Sequence, residues 1–288
     1  MDEKAEYIIV TSCKNEEENL PDLINSVISQ TLRPNLWVIV DDGSTDKTPQ
    51  ILRKAEEEHN WIKSIRLNGK ERDLGFHLAN NVKEGFNFAI DYCKKNNITY
   101  SYLANLDADL KLEETFYENI INEFEKDPKL GIASGGTKHI IGEKVVYAKL
   151  SSDEPSGGHM VIRRECFEDC EGIPISYAFD SVLKAKARLS GWSTKRFEDN
   201  LATEIRDFSS ADGYWRGFKR KGKASHYLNL HPIHIGYKCI KYSLKRPYYL
   251  GFAYFLGYIS SVLRRDEKIS DSEVRRYFRN KWKKYVLR

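Results

Sequence analysis

The strongest constraint on the fold is a repeated alternation of short apolar runs with stretches whose apolar residues fall at helical spacing. Tyr7–Thr11 (YIIVT) is short and rich in β-branched residues, the pattern of a strand buried on both faces. Leu20, Leu23, Ile24, Val27 and Ile28 then fall on one helical face, with Pro21 tolerated in the first turn. Leu36–Val40 (LWVIV) repeats the strand pattern, and Thr48 and Pro49 open a second helix as cap and first residue. IKSIRL reads as a third strand, and Val82, Phe86, Ala89, Ile90 and Cys93 mark a helix within 78–95. A further strand ends in LDAD, residues 106–109, and a helix is expected over 113–125. This alternation predicts an α/β domain built on a doubly wound, mostly parallel sheet flanked by helices. Ligands of such sheets bind beyond the carboxyl ends of the strands, where Thr11, Asp41, Asp42, Asp107 and Asp109 all fall. Beyond about residue 136 the alternation weakens. EKVVYAKL and GGHMVIRR read as strands, and FDSVLKAKARLSG as a helix closed by Gly191.

The carboxylates at these strand ends raise a charge problem. In an extended segment residues i and i+2 share a side, so Asp107 and Asp109 can converge on one cation. Oxygen ligands of this kind suit Mg²⁺ or Mn²⁺ completed by water and phosphate. The alternative is that the pair caps the following helix. VDDGSTD has the composition of a turn, yet an acid at a strand end can also accept from a base or a ribose. Neither GxGxxG after the first strand nor GxxxxGK[ST] occurs, so the usual backbone cradles for phosphate are missing and a metal is expected instead.

Taken in order, VTSCKNEEENLPDLINSVISQT, LWVIVDDGSTDKT and LANLDADL resemble a family 2 glycosyltransferase of the GT-A fold, over roughly residues 5 to 240. The resemblance implies that Thr11, Asp41 and Asp42 hold the nucleotide, with Asp42 on the base. It implies that Asp107 and Asp109 hold a divalent cation against the diphosphate, with Asp107 also counted among the nucleotide contacts. An inverting displacement needs a carboxylate to take the acceptor's proton. The family's base lies at the start of a helix after the acceptor-side strands, where this chain has Asp180; Glu198, Asp199 and Glu204 are substitutes, and a plain helix cap is the structural alternative. Many relatives carry H-x-R beyond that helix, whereas this chain reads Glu204, Ile205, Arg206. Arg206, Trp215, Arg216, Lys219 and Arg220 are candidate contacts to diphosphate or acceptor, or simply a solvated basic face. Gly158 would let backbone approach a sugar closely, and His159 is a further donor or acceptor-side candidate.

The net charge of +4 conceals an asymmetry: residues 237–288 carry 14 Lys and Arg against 4 Asp and Glu, while the rest has 32 against 38. A catalytic domain over 1–236 is therefore expected to precede a basic, aromatic helical tail over 237–288 that meets something anionic. No 18-residue apolar run occurs; RPYYLGFAYFLGYISSVLRR instead suits a helix lying in a membrane interface or packing on protein. Five cysteines without a CxxC pair imply neither a disulfide framework nor a zinc site, and the acidic N-terminus is not read as a signal peptide. The expected setting is the cytoplasmic face of a membrane, and no nucleic-acid reader is recognised. The expected activity is transfer of a sugar from a UDP-sugar, or second from GDP-mannose, to a glycan or lipid-linked saccharide. Two rivals remain. One is a polyprenyl-phosphate glycosyl transferase, whose ionised acceptor needs no base. The other is a non-catalytic subunit that binds a nucleotide-sugar. A sugar-nucleotide pyrophosphorylase would carry a Gly-rich, Arg-containing loop where this chain has TSCKNEEEN.

Overall fold

The computed structural model describes residues 6–69, 75–141, 144–148, 151–205 and 213–283. Its first half follows the predicted alternation: β1 (Tyr7–Cys13), α1 (Leu20–Ile28), β2 (Leu36–Asp41), α2 (Thr48–Glu58), β3 (Ile62–Arg66), α3 (Phe76–Asn96) and β4 (Tyr102–Leu106). These strands lie parallel in the order β3-β2-β1-β4, with Val10 opposite Val38 and Asn105. Period-two alternation divides β1 between two cores. Tyr7 and Ile9 join the side of α1, α2 and the later helix containing Phe116; Ile8 and Val10 join the side of α3. Both faces are therefore dry, as an unbroken β-branched run requires.

Helix α3 reaches the sheet through Gly85. A Cβ there would stand 2.5 Å from Val10 Cγ1 and 2.7 Å from Val40 Cγ2. Gly85→Val is expected to cost about 1–3 kcal/mol by overpacking, read as a lower urea midpoint at unchanged slope.

The rest of this unit comprises β5 (Leu110–Leu112), α4 (Phe116–Lys126), β6 (Leu130–Ile141), β7 (Lys144–Tyr147), β8 (His159–Arg163), α5 (Arg164–Asp169), α6 (Phe179–Leu189) and β9 (Ser193–Glu204). Among the described residues the sheet continues β4-β8-β6-β9-β5, with β7 on β6. Strand β8 runs antiparallel to both β4 and β6, β9 is parallel to β6, and β5 is antiparallel to β9. The expected helix over 113–125 begins at Phe116, and its cap residue is Thr115. Asp107 and Asp109 instead flank the turn into β5, so the helix-capping alternative does not describe them.

The chain divides into two compact units, one holding the residues up to Ile175 with Phe179–Arg206, the other Ser176–Ala178 with the chain from Asp207. The second contains α7 (Gly213–Tyr227), α8 (Pro232–Ser243), α9 (Leu250–Leu263) and α10 (Ser272–Asn280). Leu250, Ala253 and Tyr254 of α9 are buried, and Tyr254 Oη donates to Ser225 Oγ of α7 at 2.8 Å. Gly222 and Gly257 meet where α7 and α9 pack. One face of the apolar run in the tail is thus the core of a helical unit. Among the described residues no helix is long and apolar enough to cross a membrane.

Candidate active site

Two loops at the carboxyl edge of the parallel strands are stapled by side chains bonded to backbone. Asn15 N–H donates to Ser44 Oγ (2.8 Å), Glu16 N–H to Thr48 Oγ1 (2.9 Å) and Glu17 N–H to Asp46 Oδ2 (3.0 Å). In return, Thr45 N–H donates to Asn15 Oδ1 (2.8 Å) and Lys47 N–H to Glu17 Oε2 (3.0 Å). The motifs KNEE and GSTDKT are therefore mutual partners. Gly43 turns between them at φ +66°, and a Cβ there would meet Gly69 N at 2.6 Å. The bonds from Glu17 and Thr48 also outweigh burial at Asp46 and hold its pKa below the usual value.

This frame fixes Asp41 and Asp42 at the end of β2, both buried. Asp41 accepts from Ser44 N–H at 2.8 Å and from Arg66 Nη1 at 2.7 Å. Asp42 accepts from His77 Nε2 at 2.9 and 3.0 Å and lies 3.3 Å from Lys14 Nζ. Thr11 is fully buried one strand over, and its hydroxyl accepts from Trp37 Nε1 at 3.0 Å.

A second group forms where β4 ends. Asp107 N–H donates to Gly158 O (2.7 Å), and Asn105 Nδ2 donates to Gly157 O (2.9 Å). Strand β9 returns against β5 with Glu204 opposite Leu110, and Ile205 N–H donates to Asp109 O at 2.9 Å. Asp107 is open to solvent, yet its pKa is pushed up to about 7 by enclosure in protein and by Asp109, Glu204 and Asp180. Solvent access moderates the enclosure, which leaves the neighbouring carboxylates as the decisive cause. Carboxylate oxygens such as those of Asp107 and Asp109 are the donors that a hard divalent cation takes. Among the described residues, no three His, Cys, Asp or Glu side chains already stand as a preformed ligand cage.

Glu204, which stands where many relatives carry the H-x-R histidine, lies beside a histidine of another strand. His139 of β6 is in register with Glu204 of β9, and its Nδ1 lies 3.3 Å from Glu204 Oε2. Burial lowers the pKa of His139.

Asp180 lies in the first turn of α6. A Cβ on Gly157 would stand 2.8 Å from Asp180 Cβ, and one on Gly158 would stand 2.6 Å from Asp107 Oδ2. Two adjacent glycines thus separate the candidate base from the candidate metal ligand, and any side chain on either would fill the gap. Burial pushes the Asp180 carboxyl up, but the Lys184 ammonium and first-turn backbone hydrogen bonds more than offset this, so its pKa lies below the usual value.

His159 is buried and donates from Nε2 to Gly135 O at 3.1 Å; burial holds its pKa down at about 4. Glu198 pairs with the buried Arg196 at 3.2 Å. Trp215 and Arg216 lie on α7, in the second unit, where Trp215 packs on Tyr249 and Phe252. Arg206 lies outside the described residues. Lys14, Arg66, His77, Asn105, His139 and Lys184 were not singled out from the sequence. Lys14, Asn105 and Lys184 do fall inside the quoted motifs VTSCKNEEENLPDLINSVISQT, LANLDADL and FDSVLKAKARLSG.

The fold aligns with those of known proteins. A poly-beta-1,6-N-acetyl-D-glucosamine synthase of Staphylococcus epidermidis is 29% identical over 143 residues, 50% of this chain and 31% of that one. Its Staphylococcus aureus (strain COL) counterpart is 25% identical over 154 residues, 54% and 34% of the two chains. This chain therefore spans about a third of the length of these curated relatives. Mannosyltransferase PcManGT from Pyrobaculum calidifontis, solved with GDP-Man and Mn²⁺, superposes with a TM-score of 0.59 at 16% identity, covering 100% of this chain and 82% of that one. S. aureus TarS 1-349 with UDP-GlcNAc gives 0.58 at 16% identity, covering 89% and 79%. These likenesses establish the GT-A fold. Residues 8–167 match the description Glycosyl transferase family 2, more than half of the sequence, and the chain belongs to that family.

Proposed function

We propose that this chain is a metal-dependent, inverting glycosyltransferase that moves a sugar from a nucleotide diphosphate to a hydroxyl of a glycan or lipid-linked saccharide. The observation that carries the reading is the Gly157–Gly158 pair, whose missing side chains let Asp180 and Asp107 both close on one short stretch of backbone at the strand end. Asp41 and Asp42, fixed by the stapled loops, would hold the nucleoside. Asp107 and Asp109 would hold Mn²⁺ or Mg²⁺, with diphosphate and water completing the shell. A cation so placed neutralises charge developing on the leaving diphosphate. Asp180, ionised at neutral pH, would take the acceptor's proton as the new bond forms.

A UDP-sugar is the first choice of donor, from the names of the curated relatives and the UDP-GlcNAc complex of TarS; GDP-mannose is second, from the PcManGT complex. Calorimetric titration of UDP and GDP, each with and without Mn²⁺, tests the assignment. One nucleotide is expected to bind at least about tenfold more tightly, and only with the metal. If neither binds, or binding ignores Mn²⁺, the scaffold reading takes its place.

The second unit supports contact with an anionic membrane surface at the cytoplasmic face. Ile233, Tyr237, Ile240 and Leu244 form an exposed stripe on α8, and Phe252 and Phe255 are exposed on α9. Lys241, Lys245, Arg246, Arg264 and Arg265 are exposed on these helices and at their ends. Apolar and aromatic side chains beside Lys and Arg suit the headgroup region, each cation contributing roughly 1 kcal/mol near anionic lipid. The protein is expected to sediment with phosphatidylserine-containing vesicles but not with phosphatidylcholine alone, and Ile240→Glu with Phe252→Glu to abolish this. Absence of wild-type binding would assign the face to protein.

A further inference from the structure

Lys184 is 5% exposed, and a buried ammonium is costly unless its donors are met. It meets two partners: the Asp180 carboxylate (Nζ to Oδ2, 2.9 Å), one helical turn earlier on α6, and the carbonyl of Pro155 (2.8 Å). One turn further along the same face, Arg188 donates to the carbonyl of Asp153 and lies 3.3 Å from Glu154 Oε1. Asp180, Lys184 and Arg188 thus form an i, i+4, i+8 row facing segment 151–157. That segment is held from the opposite side by Asn105 on Gly157 O and by Ser134, whose Oγ accepts from Ser156 N–H at 2.8 Å. It ends in Gly157, against the Asp180 side chain.

We propose that Lys184 is the positioning residue for Asp180: its buried ammonium locks the carboxylate against Gly157 and ties it to the segment 151–157. The inference rests on the reading of Asp180 as the base. A base must be oriented as well as ionised, and a free Asp at a helix start can rotate to cap the backbone instead. The charged groups that bear on Asp180 are Lys184 on its own helix and Asp107 at the end of β4, which repels it. Asp153 and Glu154 of the packed segment are engaged by Arg188. Without Lys184, burial and Asp107 both favour the protonated acid, and only the first-turn backbone hydrogen bonds remain to oppose them. Arg188 grips the same segment through Asp153 and Glu154, one turn beyond Lys184, which makes it the natural control.

The test compares wild type with Lys184→Met, Lys184→Arg, Arg188→Met and Asp180→Asn. Carboxyl ¹³C-aspartate NMR follows the titration of Asp180, its signal assigned by its loss in Asp180→Asn. Release of UDP or GDP from UDP-N-acetylglucosamine or GDP-mannose is followed against pH. Lys184→Met is expected to move the Asp180 titration up by about one pH unit or more, and the acid limb of turnover with it. Lys184→Arg should restore the limb, and Arg188→Met should leave it in place. An unchanged Asp180 titration in Lys184→Met overturns the proposal while leaving the base assignment intact. Undiminished turnover in Asp180→Asn removes the base, and the proposal with it. Nucleotide binding by calorimetry checks folding. Lys184→Gln, which keeps a donor for Pro155 but loses the charge, serves if the Met variant does not fold.

Discussion

Asp109→Asn is expected to abolish the Mn²⁺ dependence of nucleotide binding and to lower turnover about a thousandfold or more. The magnitude follows from the several kcal/mol that a cation contributes at a developing phosphate charge, each 1.4 kcal/mol being about tenfold. The substitution is isosteric, and the backbone carbonyl of Asp109 still accepts from Ile205 N–H, so the turn into β5 should persist. Asp107→Asn should match it in turnover but differ in pH behaviour. Enclosure and, decisively, its acidic neighbours push the pKa of Asp107 up to about 7. A metal ligand must be deprotonated, so Mn²⁺ affinity in wild type is expected to rise as pH climbs through about 7. The metal-free protein is expected to show the opposite trend in stability. The folded state binds this proton more tightly than the unfolded chain, so Asp107's contribution is fully present below the ordinary carboxylate value and lost as pH rises toward 7. Thermal melts between pH 5 and 8, with and without Mn²⁺, should therefore diverge. Parallel curves would mean that Asp107 does not face the cation.

The parallel half of the fold was legible because each strand is an unbroken apolar run ending in a turn or an acid, and each helix keeps its apolar face. The later half was legible only in part: β7, β8 and α6 form where EKVVYAKL, GGHMVIRR and FDSVLKAKARLSG were expected to form strands and a helix, whereas β6 escaped. Its sequence, LGIASGGTKHII, mixes Gly, Ser, Lys and His, yet forms a twelve-residue strand. Gly135 and Gly136 are required there, since Cβ atoms would strike the Phe116 ring at 2.6 Å and the Glu198 carbonyl at 2.5 Å. The site divided the same way. Asp41, Asp42, Asp107 and Asp109 stood out as acids at strand ends. Their partners Arg66 and His77 lie 25 and 35 residues downstream and are joined to them only by the sheet and the start of α3. His139 reaches Glu204 through strand pairing that no local pattern announces. In the tail, hydropathy marked the run 248–263 without separating its faces; Leu250, Ala253 and Tyr254 point into the unit, whereas Phe252 and Phe255 point out.

Asp180→Asn is the variant that separates the two enzymatic readings, because they differ in what the acceptor requires. A sugar hydroxyl must lose its proton as it attacks, and general bases typically supply about 10²–10⁴-fold of rate. A loss of that order, with UDP or GDP binding unchanged, is expected if the acceptor is a saccharide. A polyprenyl phosphate is already ionised and would leave turnover nearly intact. The amide keeps the shape of the carboxylate beside Gly157 but no longer neutralises Lys184. The variant should therefore also lose stability, by about 3–5 kcal/mol at most for a broken buried pair and less here, because solvent reaches Asp180 at 27% of its side chain. Measuring turnover below the variant's melting range keeps the two effects apart. Lys184 has then lost its carboxylate, so Asp180→Asn with Lys184→Met should be more stable than Asp180→Asn alone, yet equally slow. That combination assigns the lost rate to the missing base rather than to a loosened helix.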